Sequence, residues 1–532
     1  MKKAIVFFLV TLVMAGSLKA QADFEYTVSL APVEVPDFPG LHSFAFGQHN
    51  GKWLLIGGRR DGVHARQPFA SFSAEYNNTD IFVIDIASRQ IWTAPLNGLP
   101  ASIGEQLQST NMNFFQAADT LYIIGGYAFS ASAQNHITFP KLTTLLVSDL
   151  IEAIISQEPI KPFFRQIEND IFAVTGGQLG KLDNTFFLVG GHRFDGRYNP
   201  MNNPTFQQEY TNQIRKFTVD NSEGQLSFGN YETITDEVHL RRRDYNLLPM
   251  IFEDGTAGYT ISSGVFQINF DLPFLYPVEI RPDSYTPVTN FNQYLSNYHG
   301  AKVSLFDSEQ NRMHSLFFGG ISQFFFEDGI FYQDDLVPFV NTISRLTREA
   351  DGSWHEFKLA QEMPFLQGAS AEFIPNKDLP HFDHEAIKLS HISSDTIILG
   401  HIVGGIFSPQ ANPFSFNQTH LTEADYSIFE VKLIKEPVTT GVEINGANPY
   451  EVEVFPNPAS NRVSIRYQLR NTKPTEYFIT TTEGRMLAKG IFYDQSQGSN
   501  LHTISLPPER GLMLLTLVFE NRFFVTKQII KQ

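Results

Sequence analysis

An apolar run that ends in two glycines returns five times along the chain: "WLLIGGRRDG" at 53–62, "TLYIIGGYAF" at 120–129, "FFLVGGHRFDG" at 186–196, "SLFFGGISQF" at 315–324 and "HIVGGIF" at 401–407. A glycine pair in a buried strand costs chain entropy and offers no side chain to pack. Its recurrence therefore marks places where neighbouring backbone leaves no room for a Cβ. The gap between the third and fourth phrases is about twice the others. It holds "GYTISSGVF" (258–266), with Ser263-Gly264 in the glycine position. This makes six units of about 69 residues each, a repeat architecture.

The units share one grammar. A short strand comes first, expected at 41–48, 111–118, 173–181, 243–252, 298–306 and 385–393. A polar turn leads to the apolar strand with its glycines, and a long variable segment follows. A third strand is expected at 80–86, 143–150, 213–220, 341–349 and 425–433, and a fourth, marked by an aromatic, at 89–96 and 352–359. Many β-branched and aromatic residues with almost no helical periodicity point to an all-β chain of radially repeated sheets. Unit six has no fourth strand of its own. The alternating stretch "FEYTVSLAPVE" (24–34) is expected to complete it and close the ring, leaving no bare sheet edge there.

These units resemble the kelch family of β-propellers. The resemblance rests on the glycine pairs in register and, most fully, on unit one: Gly57-Gly58, then Tyr76 and Asp85 in "YNNTDIFVIDI", then Trp92. Unit four lacks the first glycine, units two and three lack the late tryptophan, and all exceed the usual ~50 residues, mainly after the glycines. The resemblance covers about 24–434 and implies a six-bladed kelch-like propeller.

The first residues, "MKKAIVFFLVTLVMAGSLKAQA", combine Lys2 and Lys3, an apolar stretch from Ala4 to Met14, and small residues at Ala20 and Ala22. They read as a secretory signal peptide over 1–22, with cleavage after one of those alanines. No later stretch is apolar for long enough to form a membrane-spanning helix. Cys is absent, which excludes thiol catalysis, Cys-ligated zinc and iron–sulfur clusters, and leaves burial in a large domain to stabilise an exported chain. The formal net charge is −17, with the acidic excess in the body of the chain, which argues against a nucleic-acid or anionic-membrane partner.

After the repeat body (23–435) the composition changes. Residues 436–450 are rich in Pro, Gly, Asn and Thr and read as a linker. Residues 451–532 alternate in short strands with tight turns, the pattern of a small β-sandwich. This module resembles the C-terminal sorting domain (type A) of type IX secretion, through Phe455-Pro456-Asn457-Pro458, the Glu483-Gly484-Arg485 turn, Gly511 opening the last hairpin, and the basic end "KQIIKQ". Met513 stands where that family usually has an aromatic. The resemblance implies the secretion machinery as a partner, a secreted or cell-surface location, and a module presented independently of the body.

Catalytic signatures are missing: there is no G-x-S-x-G, H-E-x-x-H, Walker loop or dinucleotide fingerprint. "HFDHE" (381–385) is the densest ionisable cluster, but alternation along a strand lets only two or three of its side chains converge, and it sits at a polar turn. No metal, cofactor or catalytic residue is therefore assigned. Carried onto the kelch register, the residues entering each first strand ring the mouth of a central channel, which places Arg243, Tyr245, His299 and His384 there. The segments after the glycines open on the same side and add Arg59, Arg60, His192 and Arg193. Loops rich in Phe, Tyr, Asn and Arg on a rigid scaffold suit a polar or anionic ligand such as a sugar acid. Three readings remain open. One is an exported binding or interaction module for a glycan or protein. Another is a sugar-directed enzyme, since kelch-like propellers include sialic-acid mutarotases. The third is a structural envelope component.

Overall fold

The computed structural model describes residues 24–199, 205–222, 224–327, 330–435, 450–469, 472–482, 485–520 and 523–532. The expected signal peptide (1–22), all of the expected linker except Tyr450, and the Glu483-Gly484 pair lie outside these residues. The chain is all-β, built from antiparallel strands with a few short helices. Among the described residues no helix is long and apolar enough to cross a membrane.

Six successive four-stranded arrays carry the repeat. Sheet 1 runs Ala45–His49, Lys52–Ile56, Asp80–Asp85 and Gln90–Pro95, each strand pairing with the next. Sheets 2 to 5 begin at Asn113–Ala117, Gln178–Leu182, Asn246–Ile251 and Lys302–Asp307 and follow the same order. Sheet 6 takes Glu372–Pro375, Thr396–Val403 and Ile428–Lys435, and its fourth strand is the N-terminal Tyr26–Pro32. Tyr26 lies opposite Lys435 and Pro32 opposite Phe429, so the pairing expected of 24–34 forms.

The second strands are largely apolar because both faces of their central residues are covered. In sheet 1, Leu54 and Ile56 pack with Leu121 and Ile123 of sheet 2, while Trp53 and Leu55 pack with Ile374, Val403 and Ile428 of sheet 6. Equivalent buried clusters lie between sheets 2 and 3, 3 and 4, 4 and 5, and 5 and 6. The sheets are also tied at the hub by a closed circuit of backbone hydrogen bonds. Asn111 N–H donates to Ser43 O, Gly176 to Asn111 O, Asp244 to Gly176 O, His299 to Asp244 O, Ser370 to His299 O, and Ser43 to Ser370 O, at 2.7–3.3 Å. One residue from each unit enters the circuit, and five of them (Ser43, Asn111, Gly176, Asp244, Ser370) have positive φ.

The glycine pairs lie beside this hub for two reasons. Both members have positive φ in all five phrases, and the first presses on the next unit: a Cβ on Gly125 would overlap the Val174 carbonyl oxygen. Crowding was legible in the sequence, whereas the left-handed backbone was not. In unit four Ser263 adopts φ 54° and donates its hydroxyl to Phe274 O at 2.6 Å.

Several elements depart from expectation. Residues 143–150 do not form one strand: it ends at Leu146, and Val147–Ile155 is a helix whose Val147, Leu150 and Ile151 fill the core between sheets 1 and 2. The first strand of sheet 6 is Glu372–Pro375, not 385–393, where only Ile387–Lys388 pairs, parallel, with the edge of sheet 5. The segments after the glycines are ordered hairpins in three units, as in His192–Gly196 with Phe206–Tyr210.

In the C-terminal module, Val452–Phe455, Arg462–Leu469 and Gly498–Ser505 form one sheet. Thr475–Thr480, Met486–Phe492, Gly511–Phe519 and Phe523–Lys531 form another. Val463, Ile465, Tyr467, Met513, Leu515 and Ile529 lie in the core between them. Met513 thus fills a core position. Phe455 is partly exposed beneath the Arg466 guanidinium, and Pro456 and Pro458 each follow a cis peptide bond. Between them, Asn457 clamps the last strand, donating to Gln528 O (2.8 Å) and accepting from Ile530 N–H (2.9 Å). Gly511 opens its strand at φ 109°.

Independence from the body is not what the fold displays. The last strand joins the outer strand of sheet 5 at Phe357 opposite Phe523, giving one nine-stranded sheet. Glu356 is buried beside this junction and accepts the N–H groups of Tyr294 (2.7 Å) and Leu295 (3.0 Å). Burial pushes its carboxyl up to about 8, against the pull of those two donors. A carboxyl raised on folding contributes stability that is complete below the ordinary carboxylate range and is lost as pH rises through about 8. Thermal melts from pH 5 to 8.5 should show the melting temperature of Glu356→Gln falling less than that of the parent; parallel curves would refute this.

Candidate functional site

The hairpins stand over the hub circuit and enclose a cavity of about 900 Å³. Asn111, Thr175, Arg243 and Asp244, from the strand entries of three units, form its floor. The walls are aromatic: Phe72, Tyr127, Phe194, Tyr198, Phe206, Tyr210, Phe266, Tyr298 and Phe414.

Arg243 is the floor's cation. Its guanidinium lies over the Phe266 ring (4.9 Å), Nη1 is 3.6 Å from Asp244 Oδ2, and its buried Nε has no hydrogen-bond partner. Burial opposes its charge, but Tyr210, Asp244 and Tyr298 more than offset this and hold its pKa above the ordinary arginine value. Arg241 stacks on Tyr210 at 3.8 Å and donates to Phe266 O. Arg66 donates to Ser415 O (2.9 Å) and lies over Phe414.

Two histidines line the same space. His64 stacks on Phe72 with centroids 4.6 Å apart, and burial, assisted by the charges of Arg59 and Arg243, pulls its pKa down to about 4. His192 is held well below the ordinary value by burial and then by Arg243. Its Nδ1 accepts from the Gln208 amide at 2.7 Å, which leaves Nε2 as the protonated nitrogen. Both rings are neutral at physiological pH, so the fixed positive charge of the cavity is arginine.

The residues selected from sequence divide three ways. His192 and Arg243 line this cavity. Tyr245, His299 and His384 line a smaller space of about 140 Å³ whose boundary shares Asn111 and Asp244 with the large one, so they are not on the hairpin side. There Tyr245 donates to Val189 O (2.5 Å), His299 Nε2 is 3.3 Å from Glu372 Oε1, and His384 is held by Met250 O (3.0 Å). Arg59, Arg60 and Arg193 line neither. Arg59 occupies the same place in its unit as His192, one residue past the glycines, but is buried under Phe72 and bonded to Asp61 and Asn77. Although burial opposes its charge, nearby His42 and the hydrogen bonds from Arg59 pull the Asp61 carboxyl down to about 2. Arg60 pairs with Asp80 (2.7 Å) and Arg193 with Asp195 (2.7 Å). A carboxylate consumed each of the three, two residues on for Arg59 and Arg193 and on a neighbouring strand for Arg60.

Within 381–385, His381 is held by Leu379 O and Glu385 by Lys377. Among the described residues, no group of three or more His, Asp or Glu is placed to hold a metal ion. His64, Arg66, Tyr198, Tyr210, Arg241, Phe266 and Tyr298 were not selected from sequence. Four of these seven, His64, Arg66, Tyr198 and Tyr210, sit in the segments after the glycine pairs, but nothing local separates them from neighbours that face elsewhere.

No family model and no curated protein matches this sequence. Among solved structures, one entitled "Structure of YjhT" is similar, with a TM-score of 0.41 and 10% sequence identity over 76% of this chain and 99% of that chain.

Proposed function

We propose that residues 24–435 form a closed six-bladed kelch-like β-propeller whose hairpin-covered cavity binds a ligand carrying an anionic group, a sugar acid or a glycan bearing one. The carrying observation is Arg243, a charged guanidinium with a free Nε on the cavity floor among Phe266, Tyr298 and Tyr210. A cavity of about 900 Å³ whose aromatic walls are interleaved with arginine, histidine, amide and aspartate side chains is of a size that holds small ligands. Aromatic faces accept the apolar side of a sugar ring while arginine takes the carboxylate. The C-terminal module reads as a sorting sandwich for type IX secretion, with export begun by the signal peptide, and the protein is then secreted or held at the cell surface.

Calorimetric titration with free sialic acid and other sugar acids tests the binding reading. Arg243→Ala should weaken binding by between about tenfold and 150-fold, the worth of a lost charge-assisted hydrogen bond. Affinity of the parent should stay constant from pH 5.5 to 8, because His64 and His192 are already neutral. Equal binding of a neutral analogue, or an unaltered Arg243→Ala, would refute it. Acceleration of sialic-acid anomer interconversion, lost in Arg243→Ala, would move the reading to a sugar-directed enzyme.

A further inference from the structure

We infer that the C-terminal module is a docked subunit of the ring, which stays bound after the connecting chain is cut and covers the Val518–Phe524 end of its last two strands while docked. The contact has the character of a core, not of a tag resting on a surface. From the ring come Leu275, Tyr294, Phe324 and Phe331, and from the module Phe478, Val518 and Phe524; they form one buried cluster. The Tyr294 ring meets Phe324 edge-on at 4.8 Å and Phe478 at 4.9 Å, and lies near parallel to Phe524 at 6.0 Å.

Two pairs of polar groups meet across the contact. Tyr294 OH is 2.9 Å from Thr516 Oγ1, and Asn292 Nδ2 donates to Thr480 Oγ1 at 3.0 Å. All four residues are fully buried. Undocking would exchange these bonds for bonds to water and expose the aromatic cluster, and the exposure of apolar surface costs free energy. The buried carboxyl of Glu356 anchors Tyr294 from the ring side through its backbone N–H.

The strands concerned are those that a receptor for the chain end would need. Gly511–Phe519 contributes Val518 and Thr516 to the contact, and Phe523–Lys531 contributes Phe524 and the bridge to sheet 5. Recognition at this end of the strands thus requires undocking, whereas Lys527, Gln528 and Ile530 toward the other end of the last strand are exposed. Docking is independent of the sorting reading, and no secretion component is needed to observe it.

The test uses the full chain with a protease site placed within 436–449. After cutting, the two fragments at about 1 µM should co-elute on gel filtration and separate only in denaturant. Phe478→Ala in the cut protein should weaken the association roughly thirtyfold, as truncation of a central aromatic anchor does, with the near-ultraviolet circular dichroism of the ring fragment retained. In the uncut chain, amides of Gly511–Phe519 should exchange as slowly as those of Arg312–Ile321 in sheet 5. Separation of the cut fragments without denaturant, or exchange of those amides within seconds, would overturn the inference. A protein that docks in this way but is secreted without 451–532 would refute only the sorting role.

Discussion

Deleting residues 24–34 is expected to open the ring, and we expect the largest loss of stability from this change. Seven residues, Tyr26–Pro32, pair with Ile428–Lys435, and Val33 N–H adds a further bond to Ile428 O. Phe24 packs on His314 (4.9 Å) and under the Arg345 guanidinium (4.5 Å), both in sheet 5. The segment therefore joins the last sheet to the first residues of the chain and covers the boundary between sheets 5 and 6. Without it, the row of N–H and C=O groups on 428–435 is left unpaired, a template for intermolecular pairing. Stability should fall by roughly 3 kcal/mol or more, since a whole strand with its hydrogen bonds and the Phe24 contacts is removed. Thermal unfolding and light scattering would read this. Addition of the peptide 24–34 in excess should restore much of the melting temperature. A truncated protein as stable and monodisperse as the parent would refute the closure argument.

Gly125→Ala carries the second large effect. Gly125 has φ 67°, and its virtual Cβ meets the Val174 carbonyl oxygen, with Val174 C at 2.9 Å and Phe172 O at 3.0 Å. These are backbone atoms at the junction of sheets 2 and 3 and cannot rotate away. Left-handed backbone alone costs about 1–2 kcal/mol for an L-residue, and displacing the neighbouring backbone should bring the total to about 4 kcal/mol, the range of severe single substitutions. Gly320→Ala separates the two costs. It has φ 97°, but nothing closer than 4.0 Å to a Cβ, so it should lose only the conformational part. Equal losses in urea unfolding would mean that crowding contributes nothing at the hub.

The repeat was legible because its cause is local. A glycine pair returning after apolar runs reports a close backbone neighbour, and alternation at 24–34 reports a strand with one covered face. The sheet 6 entry was misread because Glu372–Pro375 is only four residues long, while 385–393 has the length and apolar content of a strand. The helix Val147–Ile155 was missed because its first residues continue the β-branched run of the strand before it. Site residues were legible as segments and not as individuals. Arg59 and His192 hold equivalent places in their units, yet Asp61 and Asn77 bind the first, and the second faces the cavity. Whether an arginine is free depends on which carboxylate the fold brings beside it.

By itself the sequence determined that the chain is a series of repeated antiparallel sheets with further strands after them, since periodicity and glycine spacing depend only on near neighbours along the chain. The tertiary structure alone decided which cations reach the cavity, that the hub circuit divides Arg243 from Tyr245, and that the module is docked through Tyr294, Phe478 and Phe524. Those outcomes come from groups 50 to 220 positions apart meeting in space, and nothing in a local pattern encodes which of many similar aromatic and charged side chains will meet.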